Sequence, residues 1–327
     1  MKYNRLGKTD MEISEVSLGT WAIGGDWGDT SEEVALESLH AAVDQGVNFF
    51  DTADVYGGGR SERLLGQLLK ERDERIYVAT KFGRKDDFAN LDNYTYDKVR
   101  AYCENSLQNL GVSSLDLYQI HCPSTDVLED LSVFKVLEQL KQEGLIRYYG
   151  VSVETDTQGK FVLDNTDASS LQVIVNLLRQ KPVSEMIAQA NKQDVGILAR
   201  VPLASGLLSG KYTKDTVFPE NDHRNFNKDG KAFNVGETFG GLPFEKAIEL
   251  VDQVRWIADG RNNLAQASIK WLLQQEGIST VIPGFKNPEQ VTSNIAATSV
   301  KDFSSAELEK LSDFYWKEVH DHIRGDY

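Results

Sequence analysis

A barrel of eight parallel strands alternating with eight helices, an α/β fold of the (β/α)8 class, is what the 327-residue sequence predicts. Three observations lead there. Short, nearly continuous apolar runs rich in Val, Ile, Phe and Tyr recur along the chain, as parallel strands buried on both faces require. Between them lie longer stretches with apolar residues three and four apart, the period of an amphipathic helix. Strand, helix, strand in regular alternation demands a parallel sheet, and eight such units close most naturally into a TIM barrel. An open doubly wound sheet would carry a Gly-rich phosphate fingerprint after its first strand. The segment there, Gly19-Thr20-Trp21-Ala22-Ile23-Gly24-Gly25, lacks that spacing.

The strands are read, in order, at 16–18, 47–50, 76–80, 115–120, 146–151, 171–175, 196–201 and 279–282. The helices are read at 31–45, 61–70, 96–110, 128–143, 157–164, 183–192, 244–258 and 264–275. Thr30 or Ser31 is an N-cap for the first helix, and Gly46, Gly111 and Gly144 stop the first, third and fourth. Three pieces lie outside the eight units. Residues 1–14 alternate apolar and polar around Gly7-Lys8-Thr9-Asp10 and read as a hairpin plugging the barrel floor. Residues 211–243, rich in Gly, Asn, Asp and Lys, read as a long lid-like loop. Residues 288–297 and 304–315 read as extra C-terminal helices, and no composition break divides 1–327 into more than one domain.

The net charge of −15 disfavours contact with phosphate backbones or anionic lipid, so neither nucleic acid nor a membrane surface is expected as a partner. Cys103 and Cys122 cannot build a disulfide framework and suit a reducing compartment. The N-terminal segment has no apolar signal core, and no run of apolar residues is long enough to span a bilayer. A cytoplasmic protein is expected. His320 and His322 stand two apart with no further ligand at metal spacing, so no metal site is read. No seam for self-association is legible.

In a barrel of this class the active site lies at the C-terminal ends of the strands. The second run ends in Asp51, with Tyr56 in the turn after it; the third ends in Lys81 and the fourth in His121. Three consecutive units thus point Asp, Lys and His at one rim. A Lys81 cation would lower the pKa of a neighbouring phenol, Asp51 would balance the buried Lys81, and His121 would orient a substrate oxygen. A tuned phenol beside a polarised oxygen suits carbonyl reduction, in which an alkoxide forms and must be protonated. Taken singly, Asp51 with Lys81 reads equally as an ion pair between strands, Tyr56 as a packed aromatic and His121 as a hydrogen-bonding residue. The four at one rim mark a functional site.

The run Phe50-Asp51-Thr52-Ala53-Asp54-Val55-Tyr56-Gly57 followed by Ser61-Glu62 resembles the signature of the aldo-keto reductases. Leu6-Gly7, Ser17-Leu18-Gly19-Thr20-Trp21, Leu117-Tyr118-Gln119-Ile120-His121 and Tyr149-Gly150-Val151-Ser152 are similar to further landmarks of that family, in order. The resemblance implies NADP(H) bound in an extended pose and hydride transfer to an aldehyde or ketone. It implies a catalytic tetrad of Asp51, Tyr56, Lys81 and His121, with Tyr56 the general acid.

It also implies cofactor contacts at Thr20, Trp21 and Asp51, and at Ser152 and Gln172 around the nicotinamide carboxamide. Val153 stands where many members have Asn, and Arg200 where many have an aromatic residue on the nicotinamide. The run 199–208 resembles a bacterial-type subgroup, so Arg200, Pro202, Leu203, Ser205, Gly206 and Leu208 are read as cofactor contacts. The stretch Gly206-Leu207-Leu208-Ser209-Gly210-Lys211 is one residue short of a P-loop, and Tyr212 replaces its Ser or Thr. Its backbone amides would still cradle a pyrophosphate, with Lys211 and Arg224 closing over it. Gly284, Lys286, Gln290 and Asn294 resemble the family's adenosine-phosphate site. Gly284 permits close backbone approach, Lys286 meets the 2′-phosphate, and Gln290 and Asn294 share a helix face. Trp21, Trp27, Tyr56 and His121 are candidate substrate walls.

The sequence therefore predicts an NADPH-preferring reductase of small aldehydes or ketones. Two alternatives remain at this stage: a cofactor-binding sensor or regulatory subunit on the same fold with vestigial turnover, and a lyase or isomerase using Tyr56 and Lys81 without redox.

Overall fold

The computed structural model describes residues 1–25 and 30–327. Every one of the eight apolar runs becomes a strand of one sheet. In chain order these are β3 (Leu18–Gly19), β4 (Phe49–Asp51), β5 (Tyr77–Phe82), β6 (Leu115–His121), β7 (Ile146–Ser152), β8 (Ser170–Ile174), β9 (Gly196–Arg200) and β10 (Thr280–Val281). Each strand pairs in parallel with its sequence neighbour. Parallel bridges between Val16 and Val281 and between Gly19 and Gly284 join the first strand to the last, which closes the barrel.

The floor is plugged as expected. β1 (Tyr3–Arg5) and β2 (Glu12–Ser14) form an antiparallel hairpin. Its Leu6, Met11 and Ile13 pack against Phe49, Ala79, Leu117 and Leu198, one inward residue from each of β4, β5, β6 and β9. The turn enters through Gly7, at φ +50°; a Cβ there would stand 2.3 Å from the Gly196 nitrogen and 2.7 Å from the Asp194 carbonyl oxygen. A side chain would lift the hairpin off the floor. The larger apolar core fills the space between the outer face of the sheet and the surrounding helices.

The inner residues also set the parity of every strand, because side chains alternate between faces with period two. With Phe49, Ala79, Leu117 and Leu198 inward at the floor, Asp51, Lys81, Gln119, His121 and Arg200 are inward nearer the mouth. The register carries this parity across to β7 and β8, where His121 pairs with Ser152 and Ser152 with Gln172.

The helices follow the sequence pattern with local differences. Ser31 caps the helix Glu32–Asp44 by accepting from the Val34 amide, and Gly111 ends Tyr96–Leu110 in a left-handed conformation. The helix expected at 128–143 is instead two, Thr125–Asp130 and Ser132–Gln142, broken at Leu131 with φ +58°. Ser124 caps the first, and the Asp130 carboxylate accepts from the amide and hydroxyl of Ser132, which starts the second. The stretch expected at 183–192 begins as a wide π turn, Val183–Ile187, and 244–258 tightens after Gln253 into a 3-10 turn, Arg255–Ala258. The terminal helices Pro288–Ala296 and Ser305–Phe314 are present, the latter with a full capping box between Ser304 and Glu307. Among the described residues no helix is long and apolar enough to cross a membrane.

The long segment 211–243 carries three short helical turns, His223–Phe226, Val235–Glu237 and Phe239–Gly241. Asn227 organises it, its side-chain oxygen accepting from the amides of Ala232 and Phe233 and its amide donating to Thr238. Arg324 near the C-terminus ties it down through the Gly241 carbonyl, Asp229 and the Lys228 carbonyl.

Candidate active site

The strand ends enclose a cavity of about 660 Å³, lined by Asp51, Tyr56 and His121 at one end and by Gly284, Lys286, Gln290 and Asn294 at the other. Lys81 is fully buried behind the first group. Its Nζ donates to Asp51 Oδ2 at 2.6 Å and to the Thr52 carbonyl at 2.8 Å, and lies 5.1 Å from the centre of the Tyr56 ring. Asp51 Oδ1 accepts from Gln172 at 2.7 Å and Gln119 at 3.3 Å. The Asp51 carboxylate thus has partners on both oxygens, as burial of a charge requires.

Tyr56 sits between two rings. Trp21 stacks on it with centroids 6.0 Å apart, and His121 meets it edge-on at 5.8 Å. The turn that presents it depends on Gly57, at φ +59°, where a Cβ would collide with the Gly24 carbonyl. The sequence led to the expectation that Lys81 makes the phenol more acidic. In the structure Tyr56 is instead held well above the usual phenol range, first by burial and then by the charges of Asp51 and Glu237. The reason is chiefly burial, which disfavours the phenolate, with the Asp51 carboxylate that pairs with Lys81 adding its own charge in the same direction. Burial, helped by Arg84, Lys81 and Arg200, holds His121 well below the usual imidazole range, so the ring is neutral at pH 7. Its Nδ1 is buried without a hydrogen-bond partner. Burial also lowers Lys81, although Asp51 opposes this.

Of the expected cofactor contacts, Trp21, Asp51, Gln172, Arg200, Pro202, Leu203, Ser205, Gly206, Lys211, Arg224, Gly284, Lys286, Gln290 and Asn294 all line the cavity. Thr20, Ser152 and Leu208 are fully buried and not part of its lining. Thr20 Oγ1 donates to the Asp51 carbonyl at 2.9 Å, and Ser152 Oγ lies 3.4 Å from Cys122 Sγ. Gln290 Oε1 accepts from the Lys286 amide at 2.9 Å, and Asn294 donates to the Gly284 carbonyl at 3.1 Å, so both brace the loop that follows β10. Arg224 is bound by Asp222 and donates to Tyr212 at 2.6 Å. Of the substrate walls, Trp21, Tyr56 and His121 line the cavity, while Trp27 lies outside the described residues.

Sequence reasoning missed Arg84, Phe233 and Glu237, all lining the cavity, and Glu154 beside them. Arg84, just past the end of β5 and three residues beyond Lys81, was open to the strand-end argument; Glu237, inside the aperiodic loop, had no sequence signal.

Comparison with known proteins finds similarity along nearly the whole chain. The model of the aldo/keto reductase family matches residues 15–315. The aldo-keto reductase YhdN of Bacillus subtilis (strain 168) is 30% identical over 300 residues, which is 89% of this chain and 87% of that protein. The NADH-specific methylglyoxal reductase of Escherichia coli (strain K12) is 30% identical over 322 residues, 92% of this chain and 94% of that one. Among solved structures, a glycerol dehydrogenase from Gluconobacter oxydans superposes with a TM-score of 0.80 at 30% identity, covering 100% of this chain and 98% of its own. With the family model matching residues 15–315 and a relative 30% identical over 89% of the chain, this chain is a member of the aldo/keto reductase family.

Proposed function

We propose that the chain is an NADP(H)-dependent oxidoreductase that reduces small aldehydes or ketones to alcohols, reversibly. The observation that carries this reading is the single cavity that runs from Tyr56 and His121 to Lys286 and Arg224. It has an acid and an orienting group at one end and cations for phosphates at the other. The residues fit a nicotinamide dinucleotide. Gly284 has nothing within 4 Å of where a Cβ would be, which leaves its backbone open to close approach. Burial and the neighbouring Arg224 cation lower the Lys286 ammonium below its ordinary range although Asp222 opposes this, and a phosphate bound there would act in the same direction as Asp222. Lys286, Arg224 and Lys211 would hold the phosphates, while Gln172 and Arg200 would face the nicotinamide. Bound there, the reduced cofactor supplies the hydride.

The chain's own residues do the rest. His121, neutral and with an unpartnered ring nitrogen, orients the carbonyl oxygen by a hydrogen bond. Tyr56 keeps its proton firmly and releases it only to a strong base, the alkoxide that forms as the carbonyl is reduced. Lys81 and Asp51 hold a balanced pair behind the phenol. Trp21 and Phe233 supply apolar walls that keep water from the reacting carbon.

Fluorescence titration with NADPH and NADH separately tests the cofactor assignment, followed by a carbonyl panel. Tight NADPH binding with turnover supports the reading, and binding without turnover would point to a sensor. Failure of a well-folded protein to bind either cofactor would overturn it. Replacing Lys286 by Ala is expected to weaken NADPH by about tenfold to a hundredfold, the worth of a hydrogen bond to a charged group, and NADH by much less. Equal losses for the two in the same titration would remove Lys286 from the 2′-phosphate.

A further inference from the structure

Two arginines stand in the cavity wall beside Tyr56, Arg84 just beyond β5 and Arg200 at the end of β9. Left alone, a pair of guanidiniums so close to the reacting oxygen would make that end of the cavity a receptor for anions. They are not left alone. Glu237, buried on the turn Val235–Glu237, places Oε1 3.1 Å from Arg84 Nη1 and 3.4 Å from Arg200 Nη1. Glu154, just after β7, places Oε1 3.0 Å from Arg84 Nη2. Arg200 Nη2 also donates to Cys122 Sγ at 3.3 Å.

Ser205 Oγ donates to the Glu237 backbone carbonyl at 3.0 Å, which fixes the turn that carries this residue, and Asn234 donates to the Glu154 carboxylate at Oε2, 3.3 Å away. Ligand atoms of Cys122, Glu154 and Glu237 lie within 4.8 Å of one another, a spacing that suits a cation, and the two guanidiniums are the cations that fill it. Two positive and two negative charges make a wall with no net charge. Glu237 itself lines the cavity, so its charge is felt by whatever enters.

We propose that Glu154 and Glu237 set the charge selectivity of the substrate end: by cancelling Arg84 and Arg200 they make it accept uncharged carbonyl compounds and turn away 2-oxo carboxylates. The inference rests on the carbonyl-reduction reading of this same cavity. Arg200 Nε is buried without a hydrogen-bond partner, but both guanidiniums are already charge-paired, so an entering carboxylate gains no free cation and must be buried beside the Glu237 carboxylate, a juxtaposition of like charges. Gln at position 237 keeps the size and removes the charge. The substrate's own carboxylate would then complete the pair with Arg200.

The test compares the full-length protein with its Glu237→Gln, Glu154→Gln and Glu237→Asp variants in two measurements. One is turnover of a matched pair, neutral butane-2,3-dione and anionic pyruvate, with NADPH. The other is calorimetric titration with oxamate, an unreactive 2-oxo acid analogue, which needs no turnover. Glu237→Gln is expected to shift the kcat/KM ratio toward pyruvate and to tighten oxamate binding, each by about tenfold or more, while Glu237→Asp keeps the original ratio. A purely structural role for Glu237 would lower both substrates together and leave the ratio alone. An unchanged ratio, or oxamate binding equal to wild type, overturns the proposal. Should Glu237→Gln not fold, Glu154→Gln decides by the same criteria. If the wild type reduces no member of the carbonyl panel, the functional reading fails, and the oxamate comparison still decides the charge balance.

Discussion

Replacing Tyr56 by Phe is expected to lower kcat/KM for carbonyl reduction by about a thousandfold or more, the upper part of the range for loss of a positioned general acid. The ring stays, and with it the stack on Trp21 and the edge contact with His121. Cofactor affinity and melting temperature should therefore change little, since the variant loses a proton donor and no packing. The loss should appear in kcat rather than KM, because the phenol acts on the alkoxide and not on the ground-state carbonyl. Steady-state kinetics with fluorescence titration of NADPH on the same sample checks this. Residual reduction within tenfold of wild type would remove Tyr56 from the role of acid.

The second large effect concerns stability and pH. Asp54, two residues before Tyr56, is buried with neither carboxylate oxygen hydrogen-bonded, and it is pushed up to about 7, first by burial and then by the charge of Glu62. In the unfolded chain the same group titrates near 3.8. Between these values the folded protein binds a proton that the unfolded chain has released. The stability this confers is complete below about 3.8 and is lost as pH rises through about 7. A shift of about three units corresponds to something on the order of 4 kcal/mol at pH 8, and less where the neighbourhood relaxes. Asp54→Asn, which stays neutral, should be more stable than wild type at pH 8, with the advantage shrinking steadily toward pH 4. Urea denaturation of both proteins from pH 4 to 8 measures it. A constant difference across that range would show that Asp54 does not titrate in the folded state.

Much of the site was legible because a buried parallel strand advertises itself and its last residue faces the mouth. Asp51, Lys81 and His121 end three consecutive apolar runs, and the two-residue period of the strands turns all three inward. Tyr56 lies in the turn directly after the first of these runs, while the phosphate end near Lys286 came from the resemblance to the family's landmarks. The helix at 128–143 shows the limit of periodicity. Its apolar spacing continues across Leu131, but the Asp130 to Ser132 hydrogen bonds stop one helix and start another there.

Local pattern, the burial of apolar faces with periods of two and 3.6, settles the barrel, its hairpin plug and the order of residues round the rim, because each depends on near neighbours in the chain. Charge balance depends on groups that are neighbours only in space. Glu237 reaches Arg84 and Arg200 from an aperiodic loop, and burial, reinforced by the charges of Asp51 and Glu237, moves Tyr56 opposite to the expected direction. Electrostatic energies depend on separation and burial, which no spacing of letters records. The tertiary structure alone decided how firmly Tyr56 holds its proton and how the cavity wall is charged.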